Sequence, residues 1–179
     1  FLAVTDHAEY HGVFPLLQAR DSQLDGWPLG QQMADLLQAD KNIELAKLFS
    51  DAIQSTDPAL RTPQTLVKSA WHSSIEAADA AYTPGVFTTL IGYEWTSMVT
   101  GDNLHRVVLF RDGSEYTRQV IPFSAQDSTD PEALWSALSD YETDTGGRVM
   151  AIPHNGNLSN GRMFSPIRNN GEAIDNDYA

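Results

Sequence analysis

Phe1-Leu2-Ala3-Val4-Thr5-Asp6-His7 opens the chain as an apolar, β-branched run that ends in an acid and a histidine. A run this short reads as a strand buried on both faces, as in a parallel sheet. His7 then stands at the strand's C-terminal end, where α/β folds place their ligands. Three further stretches have the same grammar. Val86 to Ser97 is β-branched and aromatic and contains Gly92-Tyr93-Glu94-Trp95. Leu104-His105-Arg106 runs on to Phe110, and Arg111-Asp112-Gly113 turns it. Arg148 to Pro153 leads into His154-Asn155-Gly156.

Helical patterns lie between these strands. Ile43 to Gln54 places Leu45, Leu48, Phe49 and Ala52 on one face. Thr62-Pro63 reads as an N-cap with proline at the first helical position. The helix it starts turns Leu66, Trp71, Ala77 and Ala81 inward until Pro84-Gly85. Asp130-Pro131 caps another, with Leu134, Leu138 and Tyr141 at helical spacing and Gly146-Gly147 at its end. Phe14 to Gly30, with Pro15, Gly26 and Pro28, reads as a loop with a short helical turn. Asn155 to Gly171 reads as a long surface loop, a kind of segment that often carries function. Strands alternating with helices predict an α/β fold with a largely parallel sheet or barrel.

The chain has 179 residues, the size of one domain, and 41% of them are hydrophobic, enough for a core. With no cysteine, any metal site must use His, Asp or Glu. Missing thiols leave the compartment open, with a periplasmic or extracellular setting slightly favoured over the cytoplasm. The net charge of −13 argues against nucleic acid and against an anionic membrane as partners. No run approaches the roughly 18 apolar residues of a membrane helix. The chain starts at Phe1 without an initiator Met and stops at Ala179 without an evident end, so it reads as a piece of a longer protein.

His7, Glu94 and His154 each follow an apolar strand, and His105 opens one. Convergence of these four at one sheet edge would bind a divalent ion such as Zn, Mn or Fe. Taken singly, each histidine is more often an ordinary hydrogen-bonded residue than a ligand. Asp6 is placed to orient His7 from behind, as carboxylates do for metal-bound imidazoles; otherwise it caps a turn. Glu94, flanked by Tyr93 and Trp95, needs a cation or a hydrogen-bond partner if it is buried. His11 lies four residues after His7, but Gly12 and Pro15 argue against the helix that a zinc pair at that spacing requires. Asn155, Asn157, Asn160 and Arg162 could hold an anionic or sugar group; turn chemistry is the plainer reading. Arg106 and Arg168 are anion-binding candidates as well. Neither a Gly-x-Ser-x-Gly elbow nor a Gly-x-x-x-x-Gly-Lys loop occurs.

These motifs, in this order, resemble the PHP (polymerase and histidinol phosphatase) superfamily. Phe1 to His7 looks like its second motif, Ile91-Gly92-Tyr93-Glu94 like its Gly-x-Glu motif, Asn103 to Phe110 like its following histidine strand, and Ala151-Ile-Pro-His154-Asn-Gly156 like its Ala-His-Pro-Gly motif. The phrases Thr-Asp-His-Ala-Glu-Tyr, Gly-Tyr-Glu-Trp-Thr-Ser, Asn-Leu-His-Arg and Pro-His-Asn resemble a domain-of-unknown-function branch of that superfamily. The resemblance implies part of a distorted (βα)7 barrel, with a helical insertion after the first visible strand. It implies His7, Glu94, His105 and His154 as metal ligands, with Glu94 bridging two ions, and metal-activated hydrolysis of a phosphorylated small molecule. In that scheme Asp6 orients His7 and Arg106 stabilises charge on the transferred group. The superfamily's opening His-x-His and closing Asp-x-His are not in this chain. The expectation is therefore a single PHP-like domain lacking its first and last strands, which homo-oligomerisation could help to cover. The alternatives are a non-catalytic binding or structural module, and hydrolysis of a non-phosphate bond by the same chemistry.

Overall fold

The computed structural model describes residues 1–53, 55, 57–168 and 170–174. Its centre is a four-stranded sheet in the order β1-β2-β5-β6. The strands are β1 (Leu2–Val4), β2 (Thr89–Trp95), β5 (Arg106–Phe110) and β6 (Val149–Pro153); β3 (Met98–Val99) and β4 (Asp102–Asn103) form a small hairpin between β2 and β5. β1 pairs parallel to β2, whereas β2 with β5 and β5 with β6 are antiparallel. The sheet is thus mixed and open, and the expected (βα)7 barrel is not formed among the described residues. The short connection 96–105 explains why, because a parallel crossover needs roughly a dozen residues or more.

One face of the sheet is buried. Pairing sets Ile91 opposite Phe110, Tyr93 opposite Val108 and Trp95 opposite Arg106, so strand alternation sends these side chains to one side. There they meet Trp71 and Ile75 of α4 (Gln64–Ala81) and Leu134 and Tyr141 of α6 (Pro131–Thr145). Trp71 and Trp95 are fully buried, and their indole N–H groups donate to the Thr117 and Ser128 carbonyls at 3.1 and 3.2 Å. The opposite face is open over Met150 and Ile152.

The helices between β1 and β2 build a second core. α1 (Val13–Ala19), α2 (Pro28–Gln38) and α3 (Asn42–Ile53) surround Val13, Leu17, Trp27, Met33 and Leu45. Phe14 to Gly30 is therefore mostly helical rather than a loop. Pro15 falls in the first turn of α1 and Pro28 at the start of α2, positions that need no backbone N–H. Gly12, at φ 69°, lets the chain enter α1, and a β-carbon there would lie 2.4 Å from that of Ala70.

β1 is an edge strand with Leu2 and Val4 exposed, not a strand buried on both faces. The facing residues of α4 are Ala77, Ala78 and Ala81, too short to reach it, which leaves an apolar groove of about 300 Å³. α4 begins at Gln64, with Pro63 rather than Thr62 as its cap residue. Asp130 caps α6 as expected, its carboxylate accepting from the Glu132 N–H at 3.0 Å, and Gly146 closes that helix in the left-handed conformation. α5 (Ser114–Thr117) is a single turn between β5 and α6. Gln54 and the stretch 175–179 lie outside the described residues.

Candidate metal centre

Sheet direction gathers the four predicted ligands. β1, β2 and β6 run the same way, so His7, Glu94 and His154 arrive at one edge. β5 runs the other way, and the residue preceding it, His105, starts at that same edge. Alternation then selects the face. Glu94 is paired with Val107, and Val107 with Ile152. His105 and His154 lie two residues from Val107 and Ile152, and a bridge joins His7 to Glu94. All four therefore share a face.

Glu94 Oε1 is the focus. His105 Nδ1 is 2.8 Å from it, His7 Nδ1 3.8 Å and His154 Nε2 3.9 Å. Ligand atoms of His7, Glu94 and His105 all lie within 4.8 Å of one another, and His154 flanks this trio. Glu94 and His105 are buried, while half of the His7 side chain is exposed, so the cluster is open on one side. Burial pushes the Glu94 carboxyl up, but the His105 hydrogen bond and the three neighbouring imidazoles outweigh it and hold it below the usual range. His105 Nε2 is buried without a partner among the described residues. It is the other ring nitrogen, Nδ1, that meets Glu94. Imidazole and carboxylate donors without thiolate suit Zn, Mn or Fe. With the ligand atoms of His7, Glu94 and His105 grouped as they are, the residues fit a divalent ion.

The other predicted residues fall elsewhere. His7 Nδ1 is hydrogen-bonded to the Thr96 hydroxyl, not to Asp6. Asp6 contributes its main-chain carbonyl to the Glu94 N–H at 2.9 Å. Arg106 lies on the helix-covered face, away from Glu94, where its guanidinium donates to the Leu104 and His105 carbonyls at 2.7 and 3.3 Å and to the Met163 sulfur. Burial lowers its pKa. His11 is buried, with Nε2 2.9 Å from Ser74 Oγ, and burial lowers its pKa against the pull of Asp6. A cleft of about 400 Å³ lined by Asp6, His7, His11 and Phe14 opens beside the cluster. Asn155 sets its amide 3.3 Å from His154 Nε2, and Asn157 is exposed in the turn Gly156–Leu158. Arg162 and Asn160 bind Asp102 instead, Arg162 at 3.3 Å.

Two residues next to the cluster escaped the sequence reading. Thr96 follows directly on β2, and Glu9 lies two residues past His7. Glu9 is 1% exposed, and its Oε1 accepts the main-chain N–H groups of Thr96, at 3.3 Å, and of Ala125. Burial pushes its carboxyl up to about 7. The only sequence signal was an acid between Ala8 and Tyr10.

Comparison with curated proteins and with solved structures finds no match. The model of one family, described as "Protein of unknown function (DUF3604)", matches residues 1–179, the whole chain, and the chain belongs to that family.

Proposed function

We propose that this chain carries the metal centre of a divalent-metal-dependent hydrolase, with a phosphoester as substrate. One observation carries the reading: three of the five histidines come within 3.9 Å of a single carboxylate oxygen, Glu94 Oε1, at one sheet edge. Hydrogen bonding alone would be met by His105. The approach of His7 and His154 from two further strands is what a multidentate cation site asks for. The PHP resemblance of the motifs that supply these residues supports the same reading.

When bound, a divalent ion supplies a Lewis acid and, from water, a nucleophile at neutral pH. His7, Glu94, His105 and His154 would hold it. The chain's own contribution is positional. His105 and Glu94 are fixed by burial and by each other, while exposed His7 and His154 leave the outer side of the cluster accessible to substrate. Asn155, adjoining His154, is placed to touch a group bound there.

The test is p-nitrophenyl phosphate turnover by protein loaded in turn with Zn, Mn and Fe, beside His105→Ala. Turnover that depends on metal and falls by at least about a hundredfold in the variant is expected. Metal binding without turnover on any phosphoester, or turnover unchanged in His105→Ala, would instead favour a non-catalytic binding module.

A further inference from the structure

On the helix-covered side of the sheet, we infer a second site: a pocket built on Arg106 that takes a small monoanionic carboxylate with an apolar body. Arg106 is 5% exposed, and its guanidinium stays charged at any working pH. Among the described residues no carboxylate pairs with it. Every hydrogen bond it makes to them leaves from Nη1, toward the Leu104 and His105 carbonyls and the Met163 sulfur. Nη2 and Nε donate to none of these residues. A buried charge without a counter-ion is costly, and an anion beside it removes that cost. The Nη2–Nε edge offers two parallel N–H groups, the spacing that two carboxylate oxygens accept.

A pocket of about 310 Å³ adjoins this guanidinium. Three of the eight arginines in a chain of net charge −13 line it: Arg106, Arg162 and Arg168. Glu132 is the one acid lining it among the described residues. Arg162 is engaged by Asp102 at 3.3 Å, so the surplus of positive charge is small and suits one negative charge rather than two. Leu104, Trp135, Ile167 and Ile174 supply apolar wall for the body of the ligand. The volume is at the lower end for small-molecule sites. The pocket shares no residue with the candidate metal cluster, so the inference does not depend on the function proposed above.

Calorimetry on metal-free protein at neutral pH and low salt, with benzoate and its uncharged isostere benzamide, tests the site. Benzoate should bind at least about tenfold tighter than benzamide. Arg106→Lys keeps the charge but replaces the fork with a point charge, and should lose about tenfold or more in benzoate affinity. Since that change is at a buried position, a surface variant gives a second check. Ile167 lines the pocket and is 48% exposed. Ile167→Glu should weaken benzoate by about tenfold through like-charge repulsion. Ile43→Glu makes the same change of charge on α3, outside the pocket and at a residue 85% exposed, and should leave benzoate affinity as in the wild type. Phenyl phosphate, largely a dianion, should bind no tighter than benzoate.

Equal affinity for benzoate and benzamide, or no binding of benzoate, would overturn the site. So would wild-type benzoate affinity in Arg106→Lys, or equal effects of the two glutamates. Tighter binding of phenyl phosphate than of benzoate would overturn the assignment of a monoanionic carboxylate.

Discussion

His105 Nδ1 lies 2.8 Å from Glu94 Oε1, and each side chain is only about a tenth exposed. The pair joins an antiparallel strand to its neighbour at the edge where the candidate ligands meet. Removing His105 would leave a buried carboxylate without its nearest partner. His105→Ala should therefore destabilise the metal-free protein by about 1–3 kcal/mol. His154 is 3.9 Å away and 44% exposed, so His154→Ala should cost less than about 0.5 kcal/mol. Urea unfolding of both variants checks this. Equal losses would contradict the distinction drawn between a buried anchor and an open flank.

Gly92 is needed for a reason separate from metal. A β-carbon there would lie 2.6 Å from the Val108 carbonyl oxygen and 2.8 Å from Leu109 Cδ2. The backbone oxygen cannot step aside without disturbing the β2–β5 pairing. Gly92→Ala should cost about 1–3 kcal/mol in thermal or urea unfolding, although alanine has the better intrinsic propensity for extended backbone. A neutral or stabilising result would show that the sheet yields at this point.

Asp112 ties the end of β5 to the start of β6. Its carboxylate accepts from the Arg111 guanidinium at 2.9 Å and from the Arg148 main-chain N–H at 2.5 Å. Desolvation pushes its pKa up, but these hydrogen bonds and the two arginine charges outweigh it, so the folded value lies below the ordinary 3.8. The unfolded chain thus takes up the proton first. The stabilisation is complete above pH 3.8 and is lost as the pH falls through the folded value. The stability gap between wild type and Asp112→Asn should be present at pH 7 and close below about pH 4. A gap that stays constant down to pH 3 would assign the effect to packing rather than to charge.

The strands, the Asp130 cap and the face of α4 were legible because each depends on residues close in sequence. Strand direction was not. Nothing within Arg106 to Phe110 says that β5 runs antiparallel; the information lies in the short connection before it. That one reversal replaces the barrel with an open mixed sheet, yet it leaves His105 at the same edge, because this candidate ligand precedes the strand instead of following it. The helices α1 and α2 were hidden by Pro15 and Pro28, which act as breakers in a helix interior but fit a first turn. Glu9 and Thr96 were unreadable for another reason. Their contact spans 87 positions, and each looks alone like an ordinary polar residue at a turn.

Metal content tests the centre most directly. Protein purified without added chelator, dialysed and examined by inductively coupled plasma mass spectrometry should hold at least about one equivalent of Zn, Mn or Fe per chain. Glu94→Gln, which keeps the shape of the side chain but not its charge, should lose most of it. Wild-type protein that retains no transition metal after incubation with each of the three ions, or Glu94→Gln that retains as much as wild type, would contradict the assignment of Glu94 as the focus of a metal site.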